Sequence, residues 1–184
     1  MKIAVFSSAL NNPCQESIEL AQKIGDYLAV NNVVVLTGGC IGLPSIVAKS
    51  AYKNGTETVA YYPDISKKEL ISNQKIHNND LSGVYTEKKF YEGFTQRSIE
   101  MIKEAGAAIV FNGRLGTLSE FTVGVEEGLP TGVIEGSGGV SNEIRRLCTL
   151  VNRDLKKDNI IISEDYKVII DKLIENQKQK DLNK

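Results

Sequence analysis

The sequence is poor in the residues that build metal sites and disulfide frameworks. It contains a single histidine, His77, and three cysteines, Cys14, Cys40 and Cys148, without close spacing. An odd number of scattered cysteines indicates reduced thiols rather than disulfides or a zinc site. A lone histidine in a polar segment is more often an inert surface residue than a catalytic or metal-binding one. We therefore expect no bound metal and no resident cofactor.

The sequence also lacks an excess of charge and long hydrophobic runs. Its 22 basic and 23 acidic side chains leave a net charge of -1, which gives no global attraction to nucleic acid or to an anionic membrane. The first apolar run, Ile3 to Phe6, is shorter than a signal-peptide core of about 7 to 15 residues. The run from Ala105 to Phe111 falls far below the roughly 20 residues that cross a bilayer. The sequence therefore predicts a cytoplasmic protein without nucleic-acid or membrane partners.

The length of 184 residues, with 41% apolar residues, is enough for one hydrophobic core. A domain usually takes roughly 150 residues, so the chain predicts a single domain. The last ten residues are mostly charged or amide side chains, which are typical of a frayed end. We predict one domain over residues 1–174 and a frayed tail over residues 175–184.

Short β-branched runs alternate with stretches of helical periodicity along the chain. Most runs are apolar at consecutive positions, as in strands buried on both faces. The predicted strands are Lys2 to Phe6, Val33 to Thr37, Thr58 to Tyr62, Ala107 to Phe111, Gly132 to Glu135 and Ile160 to Ser163. This alternation favours right-handed crossovers and parallel pairing. We predict an α/β fold, a Rossmann-like three-layer α/β/α sandwich with a mainly parallel sheet.

Glycine-rich turns follow several of the predicted strands. The candidate ligand-binding residues in these turns are Ser7, Ser8, Gly38, Gly39, Gly42, Gly113, Arg114, Gly116 and Thr117, and a further glycine run spans Gly136 to Gly139. In an open parallel sheet, ligands bind outside the carboxyl ends of the strands. Glycines let backbone N–H groups approach an anion, and the following helix adds about half a positive charge at its N-terminus. The turns therefore indicate convergence on a phosphate, although similar turns also begin helices that bind nothing.

The turns match neither of two common phosphate-binding patterns. The dinucleotide pattern G-x-G-x-x-G and the P-loop pattern G-x-x-x-x-G-K-[ST] are both missing. A standard NAD-dependent dehydrogenase and a P-loop ATPase are therefore disfavoured.

The segment Thr117-Leu118-Ser119-Glu120 supports two interpretations. It has the form of a capping box, in which Thr117 would cap a helix and Glu120 would fold back onto the Thr117 amide. Alternatively, both side chains belong to a functional site. The segment alone does not separate these roles.

Residues Arg97 to Glu120, RSIEMIKEAGAAIVFNGRLGTLSE, resemble the signature of the LOG family, which was long mislabelled as possible lysine decarboxylases. That family carries an Arg early in a helix and then P-G-G-x-G-T-x-x-E. Upstream, residues 37–43 are similar to its G-G-G-x-x-G-L-M-G loop. The order of elements matches over nearly the whole chain, so the resemblance implies the same Rossmann-like fold.

The resemblance implies a function and roles for individual residues. Enzymes of the LOG family cleave the N-glycosidic bond of nucleoside 5'-monophosphates. By resemblance, Gly116 and Thr117 would hold the phosphate, and Arg97 and Glu120 would be the catalytic pair. The family also implies a homodimer, and an amphipathic helix expected over Phe90 to Glu104 would place aromatic residues near the site. No segment supports lysine decarboxylase chemistry.

The chain departs from the family pattern at the site. Asn112-Gly113-Arg114 replaces Pro-Gly-Gly, and Ser98 follows Arg97 where the cytokinin-activating members often have a basic residue. Arg114 either adds a phosphate contact or fills the pocket and abolishes the reaction. Two hypotheses therefore remain, an N-glycosidase of a nucleoside 5'-monophosphate and a sensor or carrier that binds such a ligand without turnover.

Overall fold

Seven parallel strands form one sheet in the computed structural model, which describes residues 1–9, 12–63, 66, 68 and 83–182. The strands are β1 Lys2–Phe6, β2 Val34–Thr37, β3 Thr58–Tyr62, β4 Glu87–Phe90, β5 Ala107–Phe111, β6 Thr131–Ile134 and β7 Ile160–Ser163. Their order in the sheet is β4-β3-β2-β1-β5-β6-β7. The chain therefore builds the sheet outward in one direction from β1 and then in the other from β5, which makes the boundary between β1 and β5 the topological switch point.

Helices cover both faces of the sheet. Within the described residues they are α1 Gln15–Val30, α2 Leu43–Lys53, α3 Gly93–Glu104, α4 Leu115–Glu126, α5 Ile144–Leu150 and α6 Tyr166–Leu182, with a short 3-10 helix at Gly139–Asn142. Ile3 and Val5 of β1 pack with α1, α2 and α6, whereas Ala4 and Phe6 pack with α3, α4 and α5. Each central strand is buried on both sides, which explains its continuous apolar sequence. The predicted Rossmann-like three-layer fold is confirmed.

The predicted strands agree with the structure except in two respects. The bounds shift by one residue in two strands, since the strand expected from Gly132 to Glu135 runs from Thr131 to Ile134 and the one expected from Val33 begins at Val34. Strand β4 was not predicted, because its sequence Glu-Lys-Lys-Phe carries no apolar run. It lies at the edge of the sheet and pairs only with β3, where charged side chains reach solvent.

The helix expected over Phe90 to Glu104 begins only at Gly93, so that part of the prediction is wrong. Phe90 is the last residue of β4 and stacks on Tyr62 at 5.6 Å between ring centroids. Tyr91 stacks on Tyr61 at 5.9 Å. Of the three aromatic residues that were expected near the site, Phe90, Tyr91 and Phe94, only Phe94 is exposed, at 65%.

The C-terminal helix is longer than the sequence predicted. Helix α6 continues to Leu182 and includes residues 175–182 of the segment predicted to fray. The fraying and the domain boundary at residue 174 stay predictions. Among the described residues, no helix has both the length and the apolar character needed to cross a bilayer. The cytoplasmic location also stays a prediction.

Candidate functional site

A cavity of about 300 Å³ opens at the switch point, beyond the carboxyl ends of β1, β2 and β5. The predicted site residues that line it are Ser7, Ser8, Gly38, Arg97, Arg114, Gly116, Thr117 and Glu120. These residues come from four segments of the chain, and parallel pairing brings them together because every strand ends at the same edge.

Three predicted residues, Gly39, Gly42 and Gly113, do not line the cavity but shape the turns around it. Gly113 has φ +101°, and a Cβ built there would lie 2.5 Å from Cγ2 of Thr117. A side chain at position 113 would therefore push Thr117 out of place as well as strain the backbone.

The glycine run from Gly136 to Gly139 does not line the cavity, so the expectation that it converges with the other turns on one ligand is wrong. Its backbone and side chains instead make hydrogen bonds with Asn112 and Gly113, the turn that follows β5. The Asn112 amide donates to Oγ of Ser137 at 2.8 Å, and the Val140 amide donates to the Gly113 carbonyl at 3.0 Å. This turn therefore supports the site from behind.

Arg97 and Glu120 form a buried ion pair in the cavity wall. Nη1 of Arg97 donates to Oε1 of Glu120 at 2.7 Å, and their side chains are 7% and 12% exposed. Ser98 donates its hydroxyl to the same Oε1 at 3.1 Å. Burial raises the pKa of Glu120, and the charge of Arg97 and the bond from Ser98 oppose that shift. No described residue donates a hydrogen bond to the second carboxylate oxygen, Oε2.

Gly38 leaves the space that the Arg97 guanidinium occupies. A Cβ at position 38 would lie 2.1 Å from Nη1 and 2.6 Å from Cζ of Arg97. Real Cβ atoms do not approach so closely, so any side chain there would displace the guanidinium. The glycine at the end of β2 is therefore needed for the ion pair.

The capping-box interpretation of Thr117 and Glu120 is wrong in the structure. Helix α4 begins at Leu115 with Arg114 at the N-cap, so Thr117 already lies in its first turn. The Thr117 hydroxyl donates to the Ser7 carbonyl at 3.1 Å, and Glu120 bonds to α3 instead of folding back. Thr117 thus joins α4 to the end of β1, and Ser7 donates in turn to the Phe111 carbonyl at 2.7 Å on β5.

Arg114 and the start of α4 form the positively polarised side of the cavity. The Arg114 side chain is exposed, and among the described residues it makes no ion pair or hydrogen bond. The first-turn N–H groups of an α-helix have no acceptor within the helix, which makes them available to a ligand. A Cβ at Gly116 would have nothing within 4 Å, so the protein itself does not require glycine there. The space beside Gly116, which lines the cavity, is therefore free of other protein atoms.

Several lining residues were not singled out by the sequence. They are Val5, Ala9, Cys40, Pro44 and Leu115, whereas Phe94 was among the aromatic residues expected near the site. Pro44 is in the first turn of α2, where proline is tolerated, and Gly42 at the N-cap was the available signal. The Phe94 ring lies 5.9 Å from Cζ of Arg97, which is three residues further along α3 and therefore on the same side of that helix.

No group of three His, Cys, Asp or Glu side chains in the described part of the chain is placed to hold a metal ion. His77 and the polar segment around it lie outside the described residues.

Solved structures of low sequence identity share this fold over nearly the whole chain. The structural-genomics target TM1055 gives a TM-score of 0.75 at 19% identity, over 95% of this chain and 98% of the other. The molybdenum cofactor binding protein from Rippkaea orientalis gives 0.72 at 18% identity, over 95% of each chain. DNA processing protein A from Helicobacter pylori, described by its single-stranded DNA binding mode, gives 0.67 at 17% identity, over 96% of this chain and 81% of the other. These similarities show a common fold.

The sequence comparison identifies the family. No curated protein matches the chain. Residues 1–170 match the SLOG cluster4 family, which confirms the resemblance to the LOG family at the level of the LOG/SLOG Rossmann-like superfamily. With its parallel sheet and its site at the β1–β5 switch point, the chain belongs to the SLOG cluster4 family.

Proposed function

We propose that this protein binds a small phosphorylated ligand, of the nucleoside 5'-monophosphate class, in the cavity at the switch point. The observation that carries the proposal is Arg114 at the start of α4, whose side chain has no ion pair with any described residue and lies beside the buried Arg97–Glu120 pair in the same cavity. One end of the cavity thus suits an anion, and the other presents a carboxylate.

The phosphate would lie at the start of α4. The helix contributes about half a positive charge there, and its free N–H groups point outward. Arg114 adds a planar fork of donors that suits phosphate oxygens. Arg114 therefore supplies a contact that the Pro-Gly-Gly turn of the resembling family lacks, and it does not fill the cavity.

Hydrolysis of the N-glycosidic bond is the sharper form of the proposal. In that reaction the C–N bond to the base breaks, water adds its oxygen to the anomeric carbon, and the base leaves with a proton. Glu120 would accept the proton of the attacking water or stabilise the positive ribosyl transition state. Burial makes its carboxylate a stronger base, and Arg97 keeps it ionised and in place.

Binding without turnover is the second candidate. It is favoured by the shared fold of the molybdenum cofactor binding protein from Rippkaea orientalis. The two candidates use the same cavity and differ only in whether Glu120 acts on the ligand.

A nucleic-acid ligand is less well supported than a small molecule, although DNA processing protein A shares the fold. The net charge is -1. The exposed arginines near α5 are already paired, Arg145 with Glu135 at 2.8 Å and Arg146 with Glu143 at 2.9 Å. Both arginine side chains are thus engaged by carboxylates and are not free to follow a phosphate backbone.

A thermal-shift experiment tests ligand binding. AMP should raise the melting temperature of the protein and adenosine should not, because the donors at the start of α4 address the phosphate. At a hundredfold excess over the Kd, the stabilisation should reach roughly 2.7 kcal/mol. Arg114→Gln should weaken AMP binding about tenfold or more, through loss of a charged hydrogen bond.

Arg146→Gln is the matched control, since Arg146 is exposed and lies outside the cavity. It should leave the AMP shift unchanged. Equal shifts with AMP and adenosine would contradict the phosphate site.

Release of free base from a panel of nucleoside 5'-monophosphates tests turnover. Glu120→Gln should lower kcat by roughly 10² or more, because it removes the charge that the transition state requires. Arg97→Lys should also lower kcat, since an ammonium group lacks the guanidinium geometry. Both variants disturb a buried pair, so the melting temperature of each must be measured as well. No base release by the wild type, together with a clear AMP shift, would reject hydrolysis and leave the carrier.

A further inference from the structure

Two donors from one helix meet on a single oxygen of Glu120. Nη1 of Arg97 lies 2.7 Å from Oε1, and Oγ of Ser98 lies 3.1 Å from the same atom. Arg97 and Ser98 are consecutive on α3, whereas Glu120 is on α4. The cavity wall thus contains a three-residue contact between the two helices.

A single donor does not fix a carboxylate, because the last torsion of a Glu side chain has a broad energy minimum. The second donor, from Ser98, approaches from a different Cα and restricts that rotation. No described residue donates to Oε2, and Glu120 lines the cavity. One oxygen is therefore held by the protein and the other is left for a ligand or a water molecule.

We infer that Ser98 is a positioning residue, which with Arg97 holds Oε1 of Glu120 and leaves Oε2 as the oxygen that meets the ligand. The ligand-facing part of this inference rests on the proposed function. The holding of Oε1 does not, and it can be measured without any ligand.

Few ionisable groups among the described residues surround Glu120, so a change in its pKa can be assigned to the residue that is substituted. Arg97 on α3 is the ionisable group in contact with it among the described residues. Arg114 at the start of α4 and Cys40 after β2 line the same cavity without a hydrogen bond to Glu120. Burial raises the pKa of Glu120, and the Ser98 hydrogen bond lowers it. Loss of the Ser98 hydroxyl should therefore raise the pKa further.

The experiment is a carbon-13 NMR titration of the Glu120 carboxyl in the ligand-free protein, with the resonance assigned by its loss in Glu120→Gln. Ser98→Ala should raise the pKa of Glu120 by roughly 0.5 to 1, the equivalent of one hydrogen bond. Ser98→Thr keeps the hydroxyl and should restore the wild-type value. Ser119→Ala removes an exposed hydroxyl on α4 that makes no hydrogen bond with the Glu120 carboxylate, and should leave the titration unchanged.

An unchanged Glu120 pKa in folded Ser98→Ala would overturn the inference, as would a shift of equal size in Ser119→Ala. If the wild type releases base, Ser98→Ala should lower kcat more than it changes KM and should move the acid limb of the pH profile to higher pH. A pH profile that does not move would overturn the ligand-facing part. Should the titration respond as expected while no base is released, the hydrolase proposal fails and the holding of Oε1 by Ser98 stands.

Discussion

At the residue scale, Gly38 shows how one missing side chain supports the chemistry of another residue. Its hydrogen faces the Arg97 guanidinium, where a Cβ would stand 2.1 Å from Nη1. Arg97 is 6% exposed and held by Glu120, so it has little free space into which to retreat. The Arg97 guanidinium can therefore keep its position beside Glu120 only while residue 38 has no side chain.

Gly38→Ala should cost roughly 1 to 3 kcal/mol of unfolding free energy, as overpacking of a filled site does. It should also raise the pKa of Glu120, because the displaced Arg97 no longer opposes the effect of burial. Urea denaturation and the Glu120 titration measure the two effects.

Gly124→Ala is the control, since a Cβ at position 124 would meet its neighbours at 3.6 Å or more, an ordinary contact. Gly124 is also inside α4, where alanine is the better helix former. Equal stability of the two variants would contradict the crowding argument.

At the element scale, three helices begin at the same cavity. Helices α2, α3 and α4 follow β2, β4 and β5, and Pro44, Phe94 and Leu115 from their first turns all line it. Parallel strands make this convergence automatic, because each carboxyl end delivers a helix N-terminus to the same edge. The ligand class then depends on which side chains those first turns carry.

The opposite end of α3 ties the edge strand β4 to the sheet. Glu104, the last residue of α3, accepts hydrogen bonds from Lys2 of β1, Tyr61 of β3 and Lys89 of β4. Burial alone would raise the pKa of Glu104, but these three donors outweigh it and hold the value at about 2. One carboxylate thus connects three strands and a helix.

The depressed pKa predicts a stability change in acid. The group titrates near 4.5 when unfolded and at about 2 when folded, so its contribution is fully present above about pH 4.5 and is lost as the pH falls toward 2. Between pH 5 and pH 3 the wild type should therefore lose more stability than Glu104→Gln, as measured by urea denaturation at each pH.

Glu100→Gln is the matched control on the same helix, since Glu100 pairs only with the exposed Lys103 among the described residues. An exposed pair of this kind contributes little to the free energy of unfolding. The stability of Glu100→Gln should therefore change with pH as that of the wild type does. If the stability of Glu104→Gln showed the same pH dependence as the wild type, Glu104 and its three donors would not be the source of the acid sensitivity.

At the scale of the whole molecule, exposed apolar side chains lie on several elements, and three of them belong to α4 and α5 or directly follow α5. Leu115, Leu150 and Val151 are 84%, 68% and 62% exposed. Val151 also lines an apolar groove of about 470 Å³ whose walls include Phe121 and Leu147. Such a surface is typical of a protein–protein contact.

We expect a homodimer, with light scattering at micromolar concentration giving twice the mass of one chain. Leu150→Glu should shift the protein toward the monomer, because it places a charge in the apolar surface. Val30→Glu is the control, as Val30 is 77% exposed at the end of α1 on the other face of the sheet. A single-chain mass for the wild type would reject the dimer.

The sequence alone determined the layers of the fold and most of the cavity. Buried parallel strands must be apolar at consecutive positions, so β1, β3 and β5 were visible as runs with correct ends. Because such strands end together, the glycine turns after them could be assigned to one site before any geometry was known. Arg97 and Glu120 were identified through a family resemblance and not through their spacing.

Only the tertiary structure decided what depends on contacts between distant residues. Strand β4 has a charged sequence that becomes a strand through pairing with β3, and no local pattern reports such pairing. The segment from Thr117 to Glu120 has the local pattern of a capping box. In the folded protein Glu120 instead accepts hydrogen bonds from Arg97 and Ser98 of α3. Hydrogen bonds and steric exclusion act over about 3 Å in space, while the sequence orders residues only along the chain. The roles of Gly38 and Ser98 therefore appeared only in the folded protein.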